Sequence, residues 1–392
     1  MHKSDAEAGW YEVREIESLP SPCVLVSRPG VIANIEAAIA RAGGPERLRP
    51  HVKTHKSAQV VQLHLERGVR RFKCATPAEA EMLARAGVRD VLIAYQLVGP
   101  GAEILRDLIG RYPDTRFGCL VDNGTTLDQL EAVFQGYDPD QRAPFVLVDL
   151  DVGMHRTGIA PGDRADQLYR RITVSPCLKA GGIHAYDGHI REISPEKRAE
   201  QAAGARTTAL EMRDRLQREG LPVPEVVLGG TPTFPCHADA YVEGCSLSPG
   251  TYSYHDWGYA SAFADLPFRD AAVVLGRVVS VPEPGQFTID VGSKGIAADK
   301  DQPRGMLLNV PDAEAGPQSE EHWVFTVPAG GTSSGKQAVA GTPAVGTPVY
   351  VWPRHICPTI EHYDEVLVVG EDRTVIERWP VTARGRALRR SE

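Results

Sequence analysis

The segment Leu48-Arg49-Pro50-His51-Val52-Lys53-Thr54-His55-Lys56 sets a lysine among two histidines at the end of a short apolar run. A lysine partly desolvated beside other cationic groups can act as an amine nucleophile toward a carbonyl carbon. A solvated basic turn is the other reading of the same residues. Further along, Asp151-Val152-Gly153-Met154-His155-Arg156 follows a second apolar run. Arg156 there offers a fixed fork of donors suited to an oxyanion, or else a surface ion pair. Tyr186, Asp187 and His189 close a third run, and His189 could equally be a capping or packed histidine. In Gly229-Gly230-Thr231-Pro232-Thr233 and Gly250-Thr251-Tyr252 the glycines permit close backbone approach. Threonine hydroxyls and N–H groups beside them can hold a phosphate dianion. His355-Ile356-Cys357, if extended, points both side chains to one face, because strand side chains alternate. Imidazole and thiolate suit Zn2+ or another borderline divalent metal, although two ligands also describe a packed cysteine beside a surface histidine.

These residues need elements to hold them. Strand-like runs are expected at Cys23–Ser27, Arg49–Lys53, Arg70–Cys74, Val91–Tyr95, Phe117–Val121, Phe145–Leu150, Gly182–Tyr186 and Glu225–Leu228. Amphipathic helical stretches fall between them at Val31–Ala42, Lys56–Arg67, Pro77–Ala86, Ala102–Arg111, Leu127–Phe134, Asp163–Ile172 and Glu196–Glu219. Thr76-Pro77 with Glu79 reads as an N-cap, a first-turn proline and a capping-box partner. This alternation fits an α/β fold, a (β/α)8 barrel, better than an open sheet. Barrel chemistry sits at the carboxyl ends of strands, where Lys53, Arg156 and Tyr186 fall, and phosphate commonly binds after strands seven and eight. Beyond residue 265 short strands alternate with Gly/Pro turns and no long helix. The expected division is a barrel over 23–265 and a β-rich domain built from 1–22 and 266–392. Ala329–Gly346, rich in Gly, Ser and Thr, is expected to be a loop.

The 43 Lys and Arg against 51 Asp and Glu give a net charge of -8, which argues against general affinity for nucleic acid or anionic membrane. No apolar run reaches transmembrane length, and no secretory signal is visible before the first acidic residues. A cytoplasmic location is expected. The seven cysteines lie singly, without a Cys-x-x-Cys pair, so no disulfide framework is expected.

The motif Arg49–Lys56 resembles the coenzyme-lysine motif of the D-threonine aldolase and D-serine dehydratase family of pyridoxal-phosphate enzymes, whose N-terminal barrel is alanine-racemase-like. The resemblance continues in order through Ser21–Val26, Asp151–Gly158, Ala185–His189, Gly229–Thr233, Ser248–Tyr252 and His355–Thr359. It implies that Lys53 binds pyridoxal 5'-phosphate covalently, with His51, Arg156, Tyr186, Gly230, Thr231, Gly250, Thr251 and Tyr252 around the coenzyme. Arg156 would face its phenolic oxygen and Tyr186 its ring. Lys53, Tyr186 and His189 are the catalytic candidates. In the family the histidine matching His355 and the residue two further on bind a divalent metal near the active site, Zn2+ or Mn2+/Mg2+, so His355 and Cys357 are the expected ligands. Ser248 stands where alanine racemases carry an arginine before Pro-Gly, a departure that disfavours simple racemase chemistry. The implied activity is lyase action on a small D-3-hydroxy amino acid. It would be either retro-aldol cleavage to glycine and an aldehyde, or dehydration of D-serine or D-3-hydroxyaspartate to a 2-oxo acid and ammonia. A non-catalytic coenzyme carrier built on a lone barrel is disfavoured by the extra β-domain. The family also implies a homodimer.

Overall fold

The computed structural model describes residues 9–138, 140–328, 341–386 and 388. Most of the expected loop Ala329–Gly346, residues 329–340, therefore lies outside the described residues. Along the chain run β1 (Cys23–Ser27), α1 (Arg28–Ala42), α2 (Ala58–Glu66), β2 (Arg71–Cys74), α3 (Pro77–Arg85), β3 (Asp90–Gln96) and α4 (Gly101–Arg111). Then come β4 (Arg116–Val121), α5 (Gly124–Phe134), β5 (Phe145–Asp149), α6 (Asp163–Thr173), β6 (Lys179–Ala185), α7 (Pro195–Arg218), β7 (Val226–Leu228), α8 (Phe234–Asp239) and β8 (Cys245–Leu247). The remainder comprises α9 (Trp257–Ala262), β9 (Ala272–Glu283), β10 (Gln286–Ile289), β11 (Gly305–Leu307), β12 (Glu314–Gln318), β13 (Trp323–Thr326), β14 (Pro348–Pro353), α10 (Ile356–Glu361), β15 (Glu365–Val369) and β16 (Val375–Pro380). Two compact units result, one of Glu36–Gly250 and the other joining the chain up to Ile35 with Thr251–Arg384.

In the first unit β2 through β8 pair in sequence order as one parallel sheet. Strands buried on both faces read as continuous apolar runs, and Phe145-Val146-Leu147-Val148 in β5 is such a run. Their inward side chains fill the interior as Leu92, Leu120, Phe145, Leu147 and Val227. Helices begin where the sequence signals them: Thr76 Oγ1 caps α3 by accepting from Glu79 N–H at 3.2 Å, and Pro77 occupies the first turn.

The eighth position is not a regular strand. Residues 48–52 bridge β8 through Leu48 and Leu247, and β2 through His51 and Lys73. Arg49 N–H donates to Leu247 O and Val52 N–H to Lys73 O, both at 2.9 Å, so this segment closes the sheet into a barrel. Pro50 lacks an N–H and interrupts the ladder there, which is why the expected strand Arg49–Lys53 is reduced to two bridges. Inside the wall Arg49, 2% exposed, donates through Nε and Nη2 to both oxygens of Glu225 (3.1 and 2.8 Å) and through Nη1 to Asp90 (2.7 Å).

Cys23–Ser27 does form a strand, but it is not the first strand of the barrel. It sits in the sheet of the second unit, antiparallel to β9 (Leu25 opposite Val273) and parallel to β15 (Leu25 opposite Leu367). An apolar strand buried on both faces satisfies either sheet equally, and its sequence does not choose. The order of this mainly β sheet is β12-β13-β10-β9-β1-β15-β16, with β14 also on β9 and β11 on β14. Trp10, Val13 and Leu19 pack with Leu25, Val273, Leu275, Tyr350 and Leu367 into its core.

Candidate active site

The closing segment delivers Lys53 to the carboxyl end of the barrel, where the side chain is half-buried. Its backbone N–H donates to His51 Nδ1 at 3.2 Å, which leaves the His51 proton on Nε2. Burial, followed by the charges of Lys53 and Lys73, holds His51 well below the ordinary imidazole value, so it stays neutral. Lys56, three residues on, is buried and committed elsewhere: its ammonium lies 2.5 Å from Glu79 Oε1. The two lysines of the motif thus differ in what they can reach.

After β5 the chain folds back on itself. Asp151 accepts from the N–H groups of Gly153 and His155, each at 3.0 Å, and from the His155 ring at 2.8 Å. Burial would raise the Asp151 carboxyl, but those hydrogen bonds outweigh it and hold it below its usual range. This turn places the exposed Arg156 guanidinium 5.2 Å from the centre of the Tyr186 ring. His189 is exposed, and its Nε2 lies 2.8 Å from where a side chain on Gly153 would begin. Asp149, Asp151, Arg156, Thr157, His184 and Tyr186 line one cleft.

The turn after β7 is rigidly built. Gly229 takes a φ of +76°, which strains any other L-residue, and a Cβ there would sit 2.7 Å from the His237 ring. Gly230 brings the backbone against Tyr186, whose ring edge would be 3.1 Å from an added Cβ. Gly230 N–H donates to Thr233 Oγ1 at 3.2 Å, and Thr233 donates to the buried Asp187 at 2.8 Å. The His237 ring donates to the other Asp187 oxygen at 2.7 Å. Thr231, 4% exposed, accepts from Gly250 N–H at 3.1 Å and so joins the two glycine-bearing segments. A cavity of about 420 Å³ opens at the amino ends of the strands, lined by Arg47, Arg71, Tyr241 and Cys245, and contains none of these residues.

Sequence reasoning missed a charged chain inside the barrel. Lys73 Nζ lies 3.3 Å from His184 Nε2, and His184 Nδ1 lies 2.7 Å from Asp149 Oδ1. Gln96 and Thr157 donate to Asp149 Oδ2 at 2.8 and 3.0 Å. The available signal was a polar residue inside each of two otherwise buried strand runs, Phe72-Lys73-Cys74 and Ile183-His184-Ala185.

In the other unit Thr251 and Tyr252 open a turn. The Tyr252 ring is fully buried against Phe268, 5.4 Å between centres, and burial pushes its phenol upward. His355 and Cys357 do not lie on an extended run. His355 is the N-cap of α10 and Cys357 falls within its first turn, which tolerates Pro358. The two side chains still meet, because they hydrogen-bond to each other. His355 Nδ1 is 2.7 Å from Asp299 Oδ2. Burial opposes a charged imidazole, but Cys357 and then Asp299 outweigh it and raise His355 to about 9. Ile356 N–H donates to Asp256 at 3.1 Å, which fixes the start of the helix. Among the described residues no three His, Cys, Asp or Glu side chains form a metal cage, and no helix is long and apolar enough to cross a membrane.

Comparison with known proteins gives these positions a context. Residues 27–256 match the alanine racemase N-terminal domain, and 271–369 match a putative serine dehydratase domain. The chain is similar to a D-threonine aldolase of an Arthrobacter species, 28% identical over 373 residues covering 93% of each chain. It is likewise 28% identical to the 3-hydroxy-D-aspartate aldolase of Paracoccus denitrificans, over 94% of this chain and 93% of that one. The crystal structure of D-threonine aldolase from Filomicrobium marinum superposes with a TM-score of 0.84 at 27% identity, covering 95% of this chain and 97% of that one. Dehydratases are among its further relatives. The chain belongs to the alanine racemase N-terminal domain family, in the group of pyridoxal-phosphate lyases that includes D-threonine aldolases and D-serine dehydratases.

Proposed function

We propose that this chain is a pyridoxal-phosphate- and divalent-metal-dependent lyase that cleaves a D-3-hydroxy amino acid to glycine and an aldehyde, as the names of its aldolase relatives suggest. The observation that carries this reading is Lys53 itself, half-buried at the active end of the barrel while Lys56 is paired with Glu79. The residues present fit the coenzyme. Lys53 would hold its aldehyde carbon, with His51 neutral beside it. The Gly229–Thr231 turn, where Gly230 keeps the space beside Tyr186 open, would take the phosphate with the Thr231 hydroxyl, braced by Gly250. Arg156 would donate to the phenolic oxygen and Tyr186 would pack against the ring. When bound, pyridoxal phosphate supplies a conjugated ring that accepts electrons from a bond broken at Cα.

The chain's own groups then decide which bond breaks. His189, exposed beside Gly153, would take up the proton of the substrate hydroxyl, which would favour scission between Cα and Cβ. His355 and Cys357 offer donors suited to Zn2+, and Asp299 on Nδ1 orients the imidazole as carboxylate–histidine pairs do at zinc sites. A divalent metal there would supply a Lewis acid for a hydroxyl oxygen. A second reading, dehydration of D-serine or D-3-hydroxyaspartate, is favoured by the thiol of Cys357 and would have Lys53 take the Cα proton. We further propose a cytoplasmic homodimer. Incubation with D-threonine, coenzyme and Zn2+ or Mn2+ tests the choice. Acetaldehyde with glycine is expected, 2-oxobutyrate with ammonia would move the assignment to the second reading, and neither product from any D-3-hydroxy amino acid would refute both.

A further inference from the structure

The carboxylate that follows Tyr186 has no task in the chemistry proposed above. Asp187 is 1% exposed, and each of its oxygens meets a different element. Oδ1 accepts from Thr233 Oγ1 at 2.8 Å, in the turn after β7, and Oδ2 accepts from the His237 ring at 2.7 Å, on α8. Both partners arrive as donors. Thr233 Oγ1 itself accepts from Gly230 N–H at 3.2 Å, and its proton has a nearer acceptor in Asp187 than in Gly230 O, 3.4 Å away. On the far side of the imidazole Arg206 Nη1, from α7, lies 3.4 Å from Nδ1, so the ring proton sits on Nε2 toward Asp187. Gly229 packs against the same two side chains: an added Cβ would meet the His237 ring at 2.7 Å and Thr233 Oγ1 at 3.2 Å. Gly230, next along, faces the edge of the Tyr186 ring.

We propose that Asp187 is a positioning residue for the coenzyme phosphate: through Thr233 and His237 it fixes the Gly229–Thr231 backbone relative to the Tyr186 ring, so that phosphate and ring are met together. This rests on the Gly229–Thr231 turn being the phosphate site of the reading above. With two fixed donors facing it, position 187 must offer an acceptor to each, and only a carboxylate does so. An asparagine sets its NH2 against one of the two and leaves a buried donor without an acceptor. The Gly230 peptide, held through Thr233, then loses its brace, while Lys53 stays on the closing segment, which Asp187 does not touch. The defect is therefore confined to the phosphate.

The test titrates coenzyme-free protein with pyridoxal phosphate and with pyridoxal, which lacks the phosphate, each followed by its visible band. The ratio of the two affinities isolates the phosphate. Asp187→Asn is expected to lower that ratio about tenfold while pyridoxal affinity is retained, the effect of one stranded buried donor. Thr233→Val should lower the ratio too, with no change of charge, and Thr233→Ser, which keeps the hydroxyl, should restore it. A wild-type ratio in folded Asp187→Asn protein, or equal weakening of both ligands, would overturn the proposal. Should that variant not fold, equal ratios in Thr233→Val and Thr233→Ser would overturn it instead. Wild-type protein that holds pyridoxal as tightly as pyridoxal phosphate would refute the phosphate turn of the functional reading, whereas a phosphate preference that none of the variants moves would refute this proposal alone.

Discussion

Two lysines three residues apart have different fates because of what each can reach. Lys56 meets the buried carboxylate of Glu79, which also accepts from Ala75 N–H at the start of α3, while Lys53 lies beside a neutral histidine. Spacing and residue type raised Lys53 as a candidate beside a solvated basic turn, and the resemblance of the motif singled it out. They were not enough for Lys73 and His184, since a polar residue in a strand run reads the same whether it faces an apolar layer or a partner four strands away. The His-x-Cys pair was legible for its chemistry but not its geometry: His355 ends an extended stretch and α10 begins behind it. If the pair is the metal site, Cys357→Ala should abolish stoichiometric Zn2+ retention in equilibrium dialysis while the coenzyme band at Lys53 remains. Undiminished zinc would count against it.

At the level of elements, helix positions follow the sequence closely because caps and apolar periodicity are local signals, as Thr76, Pro77 and Glu79 show at α3. Strand membership is a non-local property. β1 is as apolar as any barrel strand yet completes the other sheet, and the three-residue β8 is too short to give a pattern. What holds the irregular closing segment in the barrel wall is the buried fork of Arg49 on Glu225 and Asp90. Burial works against the Arg49 charge, but the two carboxylates outweigh it and hold its pKa above the ordinary value. Arg49→Met would leave Glu225 with Arg71, 2.8 Å away, as its remaining cation and would remove the partner of Asp90 inside the wall, and breaking one side of a buried pair costs about 3–5 kcal/mol, the lower end applying where a second cation stays. Urea unfolding of the variant should show a loss of that size together with weaker coenzyme binding, because Lys53 is carried by the same segment. A loss below about 1 kcal/mol would show that the segment is held by other contacts.

For the molecule as a whole, stability should depend on pH through histidines that fold in the neutral state. Burial lowers both His64 and His255 from 6.5 to about 4. The unfolded chain takes up protons below about 6.5 that the folded chain excludes until about 4. Stability is therefore present above 6.5 and is lost as pH falls through that window, by about 3 kcal/mol per histidine at its lower end. Unfolding midpoints measured from pH 7 to 4 should fall, and His64→Leu should flatten the decline. An equal slope in that variant would contradict the assignment. Reduction of the coenzyme-loaded protein with borohydride, followed by mapping of the modified peptide, identifies the lysine that carries the coenzyme. The pyridoxyl group is expected on Lys53, with the visible band absent from Lys53→Ala. A label on Lys56 or Lys73, or a band that survives Lys53→Ala, would contradict it.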